Sequence, residues 1–188
     1  MRWGVFVVAL AVFLVMDQSF LQVLALGSVF PGICGTLVVF VAMFSPRSTS
    51  LWAALLCGLM LDLGSPDVLA SGESIHVIGP YALGLTSGAY VVLLLRSIVV
   101  RRNPLTIAML LIPCLVVSSI VYLSVWSLRG FYAETILPWG DLSLGSEMGR
   151  IFGWIMYSSI LAVPVGWLLL LSWEFWKFDP QAMRIARR

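Results

Sequence analysis

Residues Leu51 to Pro66 read LWAALLCGLMLDLGSP, and after a short polar loop Ile75 to Arg96 read IHVIGPYALGLTSGAYVVLLLR. An acidic residue, Asp62, stands where an apolar helix is about to run into Gly64 and Pro66, and the single histidine, His76, opens the next apolar run. A carboxylate within hydrocarbon costs roughly 2.5–3.5 kcal/mol on insertion scales, so Asp62 calls for a partner or for a water-accessible position. Ala54, Gly58 and Asp62 recur four residues apart. Such a stripe of small residues lets a neighbouring helix come close and aims the carboxylate at it. The other option is a helix end at the membrane interface, where Asp62 is already hydrated.

Composition places this pair of apolar segments in a membrane. Of 188 residues, 61% are hydrophobic and 11% charged, and the mean hydropathy is +1.03. Soluble domains of ordinary composition do not approach these values, and the chain reads as an all-α integral membrane protein. A net charge of +2 is too small to indicate nucleic-acid binding. Cys34, Cys57 and Cys114 fall inside apolar runs without metal-ligand spacing and read as small buried hydrophobes.

Working outward, six apolar segments form one domain over 1–188, at about 3–26, 29–44, 51–64, 76–95, 105–128 and 150–173. The first could imitate a signal peptide, but it continues past Asp17 and Gln18 and is long enough to span a core that needs about 20 residues. It is expected to be an uncleaved transmembrane helix. Asp17 lies in its outer half, either near the interface or in a polar contact with another helix. Phe30-Pro31-Gly32 and Ser45-Pro46-Arg47 bracket the second segment with turn chemistry.

The fourth segment carries Gly84 and Gly88, a spacing that predicts a close helix crossing, while Gly79-Pro80 kinks or delays its start. Pro113 in the fifth segment is tolerated because neighbouring helices satisfy the freed carbonyl. Gly145, Gly149 and Gly153 repeat at four-residue spacing into the sixth segment, the best candidate for a tightly packed helix face. Ahead of it, FYAETILPW at 131–139 suggests a segment lying in the membrane interface.

Charge placement sets the orientation. If six spans alternate from a cytoplasmic N-terminus, the inner side receives Arg2, Arg47, Arg96, Arg101, Arg102, Lys177, Arg184, Arg187 and Arg188, leaving Arg129 and Arg150 outside. Nine of eleven basic residues then obey the positive-inside rule, with both termini cytoplasmic.

Catalytic chemistry is not expected. The chain has no HExxH, CxxC, GxSxG or phosphate-binding glycine loop, and no cytoplasmic segment large enough for a nucleotide. Asp62 and His76 flank one turn and could form an acid/base or ion-relay pair, but nothing completes a catalytic set, and structural or interface roles are the expectation. No cofactor or metal is expected.

The run GLMLDLGSP at Gly58–Pro66, with the following IHVIGPYALGLTSGAYVVLLLR, resembles the signature region of the MreD family of rod shape-determining proteins. In that pattern a helix ending in Gly-x-x-x-Asp-Leu and a Gly-Ser-Pro turn precedes a long helix that closes on arginines. Pro31, the Pro46-Arg47 turn, the size and the six segments agree with it, and the resemblance covers about Pro31 to Arg102. Two features depart from the pattern: extra residues around DVLASGES, with Ser74 in place of a glycine, and the long interval from Arg129 to Arg150.

The resemblance implies a non-enzymatic scaffold of the bacterial inner (cytoplasmic) membrane. Such a protein binds the bitopic protein MreC and acts with MreB, RodA and a class B penicillin-binding protein in cell shape and lateral peptidoglycan synthesis. It also implies a fold similar to the substrate-binding subunits of energy-coupling-factor transporters, so a vitamin-binding transport subunit is the alternative function. The Ala-x-x-x-Ala pair typical of those subunits is missing, because Ala9 is followed four residues later by Phe13. Membrane lipids, but no nucleic acid, complete the expected partners.

Overall fold

A computed structural model describes residues 1–26, 29–64, 67–68, 74–75, 77–99, 103–129 and 144–178. Pro66, His76, the expected interfacial segment at 131–139 and the basic tail lie outside them. The described chain is helical apart from one antiparallel pairing of Asp67–Val68 with Ser74–Ile75. Its helices are α1 (Trp3–Val15), α2 (Cys34–Phe44), α3 (Arg47–Gly64), α4 (Pro80–Leu95), α5 (Pro104–Arg129), α6 (Leu144–Leu171) and the single turn α7 (Trp173–Trp176).

Three stretches are long and apolar enough to cross a membrane: Trp3–Phe20, Pro104–Leu128 and Glu147–Leu171. Their outward positions carry Val7, Val8 and Val12 on α1, Met109 and Ile120 on α5, and Phe152, Ile160 and Trp167 on α6, all exposed in the isolated chain. Apolar side chains outside as well as inside are what a bundle solvated by lipid presents. The fold is that of a helical membrane protein.

α2 is the centre of the bundle. All eleven of its residues are buried, and α1, α3, α4, α5 and α6 pack around it. At 1.5 Å per residue it is about 16 Å long, roughly half of a hydrocarbon core of about 30 Å. Its lower end meets an aromatic cluster in which Phe40 and Phe44 contact Trp173, Trp176 and Phe178.

The element boundaries depart from the sequence expectation in five places, one being α3, which begins at Arg47 rather than at 51, so that part of the stretch read as a turn opens a helix. The segment expected over 3–26 is α-helical only to Val15, then passes through a π-helical turn at Met16–Phe20 and a 3-10 turn at Leu21–Leu24. That wider turn carries Asp17, and it turns the carboxylate toward the start of α2. The second segment begins its helix at Cys34 rather than at 29, because Pro31-Gly32 interrupts it and residues 30–33 form no regular element. α4 begins at Pro80 rather than at 76, since Gly79 takes φ +134°, a backbone state open to glycine, and Pro80 supplies a preset first helical position. α6 begins at Leu144 rather than at 150, with Glu147 in its first turn, where a carboxylate favours the helix start.

Candidate functional site

Asp62 closes the joint between α3 and α4. Its Oδ2 accepts hydrogen bonds from the backbone N–H groups of Gly79 (2.9 Å) and Ala82 (3.0 Å), and Oδ1 accepts one from Tyr81 (3.0 Å). Pro80 has no N–H, so every amide donor from Gly79 to Ala82 ends on this one side chain. The residue is 2% exposed. Of the two options the sequence left open for Asp62, contact with the neighbouring helix is the one observed. One turn earlier Gly58 faces the same place: a Cβ there would lie 2.5 Å from Ala82 Cα and closer still to the Tyr81 carbonyl. Glycine brings the first turn of α4 against α3, and the carboxylate then reaches its amides.

A second carboxylate does the same for α2. Asp17 Oδ1 accepts from Ile33 N–H at 2.8 Å and Oδ2 from Cys34 N–H at 3.1 Å, while Ser158 Oγ accepts from Gly32 N–H at 3.0 Å. Helix starts leave amide donors without intrahelical acceptors, and in hydrocarbon each such donor is expensive. The opposite end of α2 is served by Arg96, whose Nη1 donates to the carbonyls of Ala42 (2.8 Å) and Ser45 (2.7 Å). A negative group at the helix start and a positive one at its end both complement the helix dipole.

These starts converge at one end of the bundle around a cavity of about 620 Å³. The π-helical turn after α1 contributes Asp17 and Gln18, α2 contributes Cys34 and Gly35, α4 contributes Tyr81 and Leu85, α5 contributes Leu115, Ser118, Ser119 and Tyr122, and α6 contributes Glu147, Arg150, Ile151 and Trp154. Glu147 is buried and accepts hydrogen bonds from Arg150 Nε and Nη2, a paired charge at the rim. Tyr81 and Tyr122 pack ring against ring at 5.2 Å. Among the described residues no group of three or more His, Cys, Asp or Glu side chains is arranged to hold a metal ion.

The remaining glycines divide into two sets. At Gly84 a Cβ would meet Ser118 Oγ at 2.6 Å and the Ser118 carbonyl at 2.9 Å, and at Gly88 it would meet the Cys114 carbonyl at 2.5 Å. Both are used inside the molecule, at the crossing of α4 and α5. Gly153 comes 3.5 Å from Val29 Cγ2, and Gly64, exposed at the end of α3, comes 3.4 Å from Gln18 Nε2. Gly149 has nothing within 4 Å and Gly145 is exposed. At Gly149 and Gly153 the α6 repeat is therefore not the tightly packed face expected of it, since no described residue closes tightly on it.

Arg96 and the pair Glu147–Arg150 were not singled out from sequence as site residues, nor were Ser118, Ser119 and Trp154. A signal existed for the carboxylates: Asp17 and Asp62 precede the backbone amides they cap by 16 and 17 positions, each just at a Pro/Gly helix start. No comparable spacing marks the cavity.

Fold and site together define a helical membrane protein whose short inner helices are capped by side chains from neighbouring elements. Comparisons with protein-family models, curated proteins and solved structures each find no match.

Proposed function

We propose that this chain is a non-enzymatic scaffold of the bacterial cell-elongation machinery, crossing the inner membrane six times with both termini in the cytoplasm. In this reading it binds a single-span partner similar to MreC and works with MreB, RodA and a class B penicillin-binding protein. The MreD-like run from Gly58 to Arg96 supports the assignment, as does the lack of a complete catalytic set in the sequence. Arg2, Arg47, Arg96 and Lys177 belong to the bundle end opposite the cavity, and this separation supports the orientation.

One observation carries the scaffold reading: on α6 Gly145 is exposed and Gly149 has nothing within 4 Å among the described residues, and exposed Phe152, Met156 and Ile160 continue this face. In lipid, helices associate through close packing over small residues, and this face offers a partner helix such a surface. The test is Gly149→Leu in cells, scored by membrane level, rod shape and co-purification of an MreC-like protein. The expected result is a normal level with lost partner recovery and rounded cells. Unchanged shape and partner recovery would remove α6 as the docking face. Co-purification of the wild-type protein with an energy-coupling ATPase pair, together with a retained vitamin, would replace the scaffold by the transport function.

A further inference from the structure

The cavity lining mixes polar and apolar side chains. Ser118 and Ser119, 4% and 9% exposed, line it without a hydrogen bond to any described residue. The Trp154 indole N–H, beside Gly32, likewise has no acceptor among the described residues. Buried polar groups in native proteins are satisfied by protein, water or ligand, so Ser118 and Ser119, with the half-buried Trp154 N–H in the same lining, mark a place for hydrogen-bonding partners. The same lining carries Leu85, Leu115 and Ile151, apolar side chains that offer water nothing to bond. The charged groups are already engaged: Glu147 is bonded to Arg150, and the Asp17 carboxylate accepts from two backbone amides.

We propose that this cavity binds an amphipathic small molecule without net charge. Its polar group is held by Ser118, Ser119 and Trp154, and its apolar part lies against Leu85, Leu115 and Ile151. A volume of about 620 Å³ falls within the range of about 300–1,000 Å³ typical of small-molecule sites. A bound anion would meet a guanidinium already paired with Glu147, and a bound cation would meet a carboxylate, Asp17, already holding two helix-start amides, which disfavours both. The inference rests on the cavity and does not depend on the scaffold reading.

The test uses the full-length protein in nanodiscs, with four probes sharing short alkyl tails: monooctanoyl glycerol, dodecylphosphocholine, dodecyl phosphate and dodecyltrimethylammonium. Binding is read as saturable protection of Cys34, the one cysteine lining the cavity, against a small methanethiosulfonate in a Cys57→Ala/Cys114→Ala background. Native mass spectrometry of protein taken directly from membranes identifies any retained molecule. The neutral or the zwitterionic probe is expected to bind one per chain, with the charged probes at least tenfold weaker. Ser119→Phe, which fills the cavity, should abolish protection. Trp154→Phe, which removes one donor and keeps the ring, should weaken binding about three- to tenfold.

A retained mass of lipid size assigns the site to a membrane amphiphile, and a smaller one to a water-soluble metabolite. Either supports the proposal. A cavity filled by water only, shown by no retained mass and no saturable protection, overturns it. So does a preference for a charged probe, or full binding by both variants.

Discussion

Asp17 and Arg96 stand at opposite ends of the same buried helix, the carboxylate on the amides of Ile33 and Cys34 and the guanidinium on the carbonyls of Ala42 and Ser45. Neither residue belongs to α2. The helix at the centre of the bundle takes the charges at both its ends from other parts of the chain, which lets eleven residues be buried without leaving its terminal backbone groups bare in hydrocarbon.

Removing either end charge should destabilise the bundle, and the two effects should add. Asp17→Asn and Arg96→Gln are each expected to cost about 1–3 kcal/mol, the range for buried groups left unsatisfied. Their separation of about a helix length, ~16 Å, puts them beyond the range of about 7–10 Å within which mutations couple. Unfolding in detergent titrated with a denaturing surfactant measures both single variants and the double. A double variant that costs no more than either single would show that the two ends do not stabilise α2 independently.

At Asp62 the expected order is wild type, then Asp62→Asn, then Asp62→Ala. The amide keeps one acceptor oxygen for three donors, whereas alanine leaves Gly79, Tyr81 and Ala82 unpaired. Alanine should therefore cost on the order of 3 kcal/mol or more, with the amide between. Thermal unfolding in detergent checks the ranking, and an alanine variant as stable as wild type would remove the capping role.

The glycines should separate by position. Gly58→Ala and Gly88→Ala each place a methyl group against backbone of the facing helix, so lowered membrane levels and unfolding at lower temperature are expected. Gly149→Ala meets open space and should be within about 0.5 kcal/mol of wild type. Equal stability for all three would show that α3, α4 and α5 do not cross at these residues.

Topology gives a prediction independent of packing. A fluorescent protein fused after Arg188 should fold and fluoresce, and a phosphatase that matures only in the periplasm should stay inactive at the same site. The opposite pair of results would reverse the orientation drawn from the basic residues.

The sequence made Asp62 legible because the residue shares a stripe with Ala54 and Gly58, and periodicity reports which side of a helix faces a neighbour. It did not reveal Arg96 as a cap. In one dimension that residue is one more positive charge at a helix end, and its carbonyl partners lie 51 and 54 positions away. The α6 glycine repeat misled for a related reason: spacing shows that a close approach is possible but not whether a helix is there to make it. The cavity was invisible to any local pattern, since its walls come from the ends of several helices and depend on how those ends meet.

Synthesis delivers Asp17 to the membrane before α2, and Arg96 only after α3 and α4 have followed. As α2 leaves the ribosome its first amides have an acceptor waiting, while the carbonyls of Ala42 and Ser45 have no guanidinium to meet them. A helix of about 16 Å cannot hold a transbilayer position alone against a core of about 30 Å. The innermost helix therefore has its full set of end partners only once the chain through Arg96 has been made.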